Sequence, residues 1–437
     1  MAGGNYTAMN KVRPGVYINF ATEGAAVAPG GRGTMALALP MSWGEPHTMM
    51  VIEAGEDTLD KLGFSQADAE LVLVREALKR ARRLLLYRLN TGVQAKVTVG
   101  VLTATAKYPG VRGNAISMAI APSVDESGAF EVITYLNGSE REKQIVTTAE
   151  QLEDSDWINW SGTGALTASA GAPLVGGTDD AATNQNYSDF LQAAELQEFH
   201  TLAYTGTDTV MKGLFAAFAR RLRVEEGRKI QVVMENYAAI NDEGVISVKN
   251  GVRLEDGTVL TPAQASVWVA GATAAAGAGQ SLTYSAYEGA VDANPRLTHS
   301  ATVAALQGGE FLFTARAGSV VVEQDVNSYH QPTPVKGKLF GKNPVLRVLD
   351  GLANDFKSTF ESLYIGKIGN NENGRALFRK DCVKLMEQYE AIGAIQGFDA
   401  AKDLEVSQGG EPDTVIVAAS VQPVDAIEKI YMKVQVK

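Results

Sequence analysis

The chain is poor in the residues that carry metal and nucleophile chemistry. It has one cysteine, Cys382, in 437 residues, which rules out an intrachain disulfide framework and fits a reducing compartment. Cys382 falls in a helical pattern beside Leu385 and reads as a small core residue rather than a nucleophile. The four histidines, His47, His200, His299 and His330, are scattered with no second His or Cys at ligand spacing, so the usual zinc patterns are excluded. No apolar run approaches the roughly 20 residues that span a bilayer, and no basic-then-apolar leader opens the chain. Neither membrane insertion nor secretion by that route is therefore expected. A net charge of −11 argues against general nucleic-acid binding, which requires clustered positive charge.

What is present is ordinary globular composition. Hydrophobic residues make up 45% and charged residues 20%, enough apolar material for two to four folded domains at this length. Motifs for chemistry fail on inspection. Gly337–Asn343 superficially suggests a phosphate loop, but it has three residues between its glycines where that loop has four. Asn343 also stands where a magnesium-binding Ser or Thr belongs. Gly271–Gly279 lies inside or after a helical pattern rather than between strand and helix, so its small residues point to close helix packing. The acidic groups Glu53, Glu56, Asp57 and Glu153, Asp154, Asp156 sit in turn-rich sequence and read as solvated loop charges. No catalytic, cofactor-binding or metal-ligating residue is assigned, and a structural role is favoured over an enzymatic one.

Periodicity divides the chain. Gln66–Arg83 reads as a helix followed by a buried strand over Leu84–Leu89. Arg75, Lys79, Arg82 and Arg83 form a basic helix side that either faces solvent or meets an acidic patch of another subunit. From 93 to 178 the texture becomes short β-rich runs, Ala95–Leu102, Ala115–Ala121 and Ala129–Leu136 among them, between frequent turn signals, as in a β-sandwich or barrel. Helix and strand then alternate. A helix capped by Ser188 runs through Phe199, a strand covers Leu202–Tyr204, and a helix spans Val210–Arg223. The strand Lys229–Met234 and a helix from Pro262 to about Ala276 complete an α/β pattern. Gln331–Lys338, rich in Pro, Gly and Lys, marks a boundary. The last unit reads as helices Pro344–Leu363 and Gly374–Ile392 followed by two strands, a small sheet with poorly protected edges.

Both ends look like strands. Val16, Ile18 and Phe20 alternate with Tyr17 and Asn19, and Ile430, Met432, Val434 and Val436 alternate with mostly polar neighbours up to Lys437. Period two gives a strand one dry and one wet face. A strand with no turn after it can pair with another molecule's sheet edge. On pattern alone, pairing within the subunit and exchange between subunits both stay open.

Several segments, in order along nearly the whole chain, resemble the contractile tail sheath proteins of myophages, defective prophages and phage-tail-like bacteriocins. They are 13–20, 107–114, 173–179, 322–327, 342–350, 364–371, 373–375 and 421–432. The resemblance implies an α+β multidomain fold. Its parts are an N-terminal linking arm (1–20), an α/β middle domain in two pieces (21–92 and 179–335) with a β-sandwich inserted between them (93–178), a small α+β C-terminal domain facing the tail tube (336–426), and a C-terminal linking strand (427–437). It also implies a subunit that polymerises as stacked hexameric rings around an inner tube and contracts, without hydrolysis, to drive the tube through a bacterial envelope. The implied partners are the subunit itself, the tube, and the baseplate and tail terminator proteins, with no nucleic acid, no cofactor and no membrane insertion. The implied location is a virion or tail-like particle assembled in the bacterial cytoplasm.

In this family the arms add strands to neighbouring C-terminal domains, which would give Val16, Tyr17, Ile18, Phe20, Ile430, Met432, Val434 and Val436 intersubunit roles. Glycines in Ala21–Gly33 would supply slack. Lys357, Lys367, Arg375, Arg379 and Lys380 are the expected tube-facing cations. The rival readings are an α/β enzyme with a β-sandwich accessory domain, or another self-assembling structural protein.

Overall fold

The computed structural model describes residues 2–4, 15–17 and 32–436. The centre is a mixed sheet of seven strands covered by helices on both faces. In chain order its first elements are β1 (Thr34–Leu39), β2 (Met49–Glu53), helix α1 (Val72–Leu78) and β3 (Arg83–Arg88). After the inserted sandwich come α2 (Asn184–Glu195), β4 (Thr201–Ala203), α3 (Thr209–Val224), β5 (Gln231–Glu235), β6 (Val245–Val248), α4 (Pro262–Ala275) and β7 (Glu310–Phe311). The spatial order is β7-β6-β5-β4-β1-β3-β2, and every pair is parallel except β2 with β3. All six residues of β1 are buried, as a central parallel strand covered on both faces requires.

The helices arise from local signals. Pro262 at the first turn and the reciprocal Thr261–Gln264 capping box start α4. Asp208 accepts from the amides of Val210 and Met211 to start α3. The helix expected from Ser188 begins earlier, because the Thr183–Asn186 box caps it and Ser188 lies inside, bonded to the Asn184 carbonyl at 3.3 Å. It ends at Glu195 rather than Phe199. Helix α4 is almost wholly buried, and at Gly271 an added Cβ would lie 2.5 Å from the Ala77 carbonyl oxygen. The glycine is there so that α4 can cross α1 at backbone contact. The opposite face of the sheet carries α2 and α3, with Tyr87, Phe190, Tyr204 and Phe215 packed ring to ring.

The expected Gln66–Arg83 helix is shorter than its periodicity suggests. A 3-10 turn at Ala69–Leu71 leads into α1, which stops at Leu78, and Arg83 already belongs to β3. The basic face is therefore not one face. Arg75 donates to the Gln66 carbonyl at 2.8 Å and Lys79 to that of Glu288 at 2.7 Å, while Arg83 pairs with Glu53 at 2.6 Å. Three of the four cations are used inside the subunit, and Arg82 is exposed.

The insert is an antiparallel sandwich. A four-stranded sheet (Ser139–Val146, Phe130–Leu136, Ile116–Pro122, Ser169–Pro173) faces a three-stranded one (Ile158–Ser161, Leu102–Ala106, Lys96–Val99). The run Ala95–Leu102, expected as one strand, breaks at Gly100, whose φ of +59° turns the chain into a hairpin. The insert is tied to the middle domain by Trp43 from the β1–β2 connection. Trp43 is fully buried, stacks on Trp157 at 5.2 Å and meets Tyr108 edge-on. Beside it the buried Arg88 donates to the carbonyls of Gly44 (2.7 Å) and Pro109 (2.8 Å).

The C-terminal unit comprises α5 (Asn343–Leu363), α6 (Glu372–Ala391) and the antiparallel pair β8 (Leu404–Gln408) and β9 (Val415–Ala419). Cys382 is 2% exposed and packs with Tyr364, Phe378 and Leu404, the core role expected of it.

Candidate assembly surface

Helix α5 begins inside the middle domain. Asn343 and Arg347 are buried, and Asp350 nearly so. Arg223 of α3 grips both oxygens of Asp350 at 2.7 and 2.9 Å. Burial, the largest single influence, lowers the Arg223 pKa, but the charge and hydrogen bonds of Asp350 together with the charges of Glu243 and Asp242 outweigh it and the net shift is upward. Asp325 gathers Arg347 (2.5 Å), the Asn343 amide group (2.9 Å) and the Leu282 backbone N–H (2.9 Å). The Lys229 N–H donates to Asn354 at 2.8 Å, and that side chain's Nδ2 donates back to the Lys229 carbonyl. Charged hydrogen bonds replace water at this buried junction and join the two domains stiffly.

The chain beyond β9 returns to the same junction. Ser420 N–H donates to Asp403, Gln396 N–H to the Gln422 carbonyl, and Val424 N–H to the Ala394 carbonyl at 2.9 Å. Glu428 then closes the attachment. Its carboxylate accepts from Thr283 Oγ1 (2.8 Å) and Gln324 Nε2 (2.6 Å) and pairs with Lys342, which also approaches Asp425 at 3.4 Å. Burial pushes the Glu428 carboxyl up. The hydrogen bonds from Lys342, Gln324 and Thr283 outweigh it, and the net shift is downward. Lys342 stands in the segment Gly337–Asn343 that superficially suggests a phosphate loop. It instead stands at the start of α5 without a capping bond, and its ammonium anchors the tail.

After Glu428 the backbone lets go. The segment expected as a strand over Ile430–Val436 is not a strand and has no strand partner among the described residues. Its alternation has no dry side here. Ile430 (79%), Tyr431 (92%), Met432 (80%) and Val434 (74%) are all exposed. At the other end, Gly15–Tyr17 forms a short strand, paired in parallel with Ala2–Gly4 of the same chain. Val16 and Tyr17 fall in that strand, and Ile18, Phe20 and the expected slack at 21–31 lie outside the described residues.

The β8–β9 pair carries the most open sheet edge of the C-terminal unit. β9 pairs only with β8 among the described residues, and Ile416 and Val417 are 53% and 40% exposed. An open hollow of about 650 Å³ lies against it, lined by Phe360, Tyr364, Ile368, Phe378 and Val415. The expected tube-facing cations separate. Lys367 and Lys380 are exposed, Lys367 also donating to the Ser362 carbonyl at the end of α5. Arg375 is bound to Asn370 and Arg379 to the Ala400 carbonyl, while Lys357 pairs with Glu361 one turn along α5 at 2.6 Å. Among the described residues no cluster of His, Cys, Asp and Glu could hold a metal ion, and no helix is long and apolar enough to cross a membrane.

The residues of the junction were not singled out for a role by sequence reasoning. Glu428, Thr283, Gln324 and Lys342 come from four distant segments, and no periodicity links them. One signal existed: 322–327, 342–350 and 421–432, three of the segments that carry the resemblance, meet at this junction. Two others, 107–114 and 173–179, meet where Asn114 exchanges hydrogen bonds with Gly177.

Comparison with known proteins accounts for nearly the whole chain. Family models match for the tail sheath protein Gp18 domain III N-terminal region (residues 32–89), the phage tail sheath protein beta-sandwich domain (90–180), the phage tail sheath protein central domain (180–328) and the phage tail sheath C-terminal domain (335–437). The phage-like element PBSX protein XkdK of Bacillus subtilis is 41% identical over all of both chains. The sheath tail protein of Desulfitobacterium hafniense is 52% identical, with a TM-score of 0.88 over 97% of this chain and all of that one. The contracted helical sheath of the anti-feeding prophage, 12% identical, shares the fold at a TM-score of 0.58 over 97% of this chain and 99% of its own.

Proposed function

The chain belongs to the phage tail sheath protein family, and on that premise we propose that it is the structural subunit of a contractile sheath, stacking as hexameric rings around a tail tube. The observation that carries the reading is the pairing of a donor with an acceptor on one subunit. Ile430–Val436 leaves the body exposed and unpaired, and the β8–β9 pair offers open edges with exposed Ile416 and Val417 beside them. A strand and an unfilled edge on the same chain but not on each other form a head-to-tail contact, and repetition of such a contact generates a helical polymer when it does not close. The N-terminal strand around Val16–Phe20 is proposed to fill a second edge in the same way.

Contraction is then a passage of whole subunits to a better-packed arrangement, with the starting state held by a kinetic barrier. The stiff junction between domains suits this, since motion is confined to the arms, whose backbone hydrogen bonds persist while neighbours slide. No step calls for hydrolysis or any other catalysis. The tube side is proposed to present Lys367 and Lys380, while Lys357 pairs along α5 and Arg375 and Arg379 tie α6 to the segments before and after it. Baseplate and terminator proteins would bound the polymer in a tail-like particle assembled in the bacterial cytoplasm.

Deleting Met1–Phe20 or Ile430–Lys437 tests the reading. Each truncated subunit is expected to fold with the full-length circular dichroism spectrum yet form no sleeves in negative-stain micrographs. Normal sleeves from either truncation would overturn the corresponding arm.

A further inference from the structure

Where the C-terminal arm begins is set by a side chain, not by the end of the last strand. β9 ends at Ala419, but the nine residues after it do not hang free. Backbone bonds at Ser420, Gln422 and Val424 tack them to the C-terminal unit, and Glu428 ties them to the middle domain. The Glu428 side chain is only 10% exposed and is met by three donors from three segments: Thr283, Gln324 and Lys342. Thr283 Oγ1 in turn accepts from the Asp325 N–H at 3.0 Å, and Asp325 holds Arg347 and Asn343. Glu428 thus sits two hydrogen bonds, through Thr283, from the charged centre of the interdomain junction.

We propose that Glu428 is the root of the C-terminal arm, a positioning residue that fixes where the arm leaves the subunit and so limits the free linker to Lys429 onward. The proposal rests on the arm-exchange reading for its consequence in assembly, but the clasp itself is a property of the single subunit. With the clasp closed, Lys429–Val436 reaches at most about 26 Å at about 3.3 Å per residue. With it open, the next hold is Asp425, which Lys342 still meets at 3.4 Å, and the arm gains three residues, roughly 10 Å of slack. A joint that must keep neighbours in register through sliding needs the short tether, because a looser one lowers the effective concentration of arm at its acceptor.

Trypsin reads the clasp directly, because exposed Lys429 lies next to the root and exposed Lys433 lies four residues out in the free arm. In the unassembled full-length subunit, cleavage after Lys433 serves as the internal standard. Glu428→Ala is expected to raise cleavage after Lys429 relative to Lys433 about tenfold, the change in open population that accompanies loss of one charged hydrogen bond. Glu428→Gln, which keeps the shape and loses the charge, should give an intermediate increase. Lys342→Glu should behave like Glu428→Ala, whereas Lys342→Arg, which keeps the cation opposite Glu428, should retain most of the protection; a role for Lys342 in packing alone would not separate the two. In micrographs the Glu428→Ala subunit is expected to give few or irregular sleeves. An unchanged Lys429 to Lys433 ratio in Glu428→Ala, together with normal sleeves, overturns the root while leaving arm exchange standing. Normal sleeves after deletion of Ile430–Lys437 overturn arm exchange and leave the proteolysis result to judge the clasp alone.

Discussion

Replacing Asp350 by alanine removes one half of a buried ion pair and leaves the other half in place. Arg223 would keep one acceptor, the Ile230 carbonyl at 2.8 Å, and lose both carboxylate oxygens. Both side chains are under a tenth exposed, so water cannot readily substitute. Removing a single partner from such a pair costs about 3–5 kcal/mol, most of it the penalty of an uncompensated buried charge. The cost falls on the contact between α3 and α5, where the C-terminal unit joins the middle domain. Urea unfolding of Asp350→Ala, followed by circular dichroism, should show an early transition for the C-terminal unit. Hydrogen exchange should rise first along the start of α5. The double change Arg223→Met with Asp350→Leu removes the charge on both sides and should recover most of the loss. The reasoning is refuted if Asp350→Ala shifts stability by less than about 1 kcal/mol, the scale of an exposed pair, or if the apolar double variant is no better than the single one.

Two further outcomes follow from packing. Gly271→Ala places a methyl 2.5 Å from the Ala77 carbonyl oxygen, so α4 and α1 must separate; a loss of about 1–3 kcal/mol is expected by thermal or urea unfolding, and an unchanged midpoint would show that the helices have room. Burial, with a smaller contribution from Asp381, pushes the Cys382 thiol up to about 12. Almost no thiolate exists at pH 8, and a thiol reagent should label the protein only after unfolding; fast labelling of the native chain would contradict the packing around Tyr364 and Phe378.

The parts of the fold that were legible in the sequence are those decided within a few residues. Helix α4 is announced by Thr261-Pro262 and α3 by its apolar spacing, because caps and periodicity act over one or two turns. The sandwich was legible as texture, although Gly100 split one expected strand into two. The errors share one cause. Periodicity carried a helix through Arg83, but Gly33 accepts backbone hydrogen bonds from Arg82 and Arg83 and draws that stretch into the sheet. Ser188 reads as a cap, but the Thr183–Asn186 box starts the helix at Asn184 and leaves Ser188 inside it, bonded to the Asn184 carbonyl.

The sequence by itself determined the class of the protein, the order of its units, the absence of recognisable catalytic motifs and the strand-like character of its C-terminal segment, all of which depend on composition and near neighbours. Only the tertiary structure decided what holds the units together and how the tail is tied to them. Arg223 and Asp350 are separated by 127 residues and Thr283 and Glu428 by 145. Their pairing follows from how the sheet brings distant segments to one point, and no local pattern encodes it. The same holds for Ile430–Val436. Its alternation specifies a face to be buried, and the fold of the single subunit leaves that face in water.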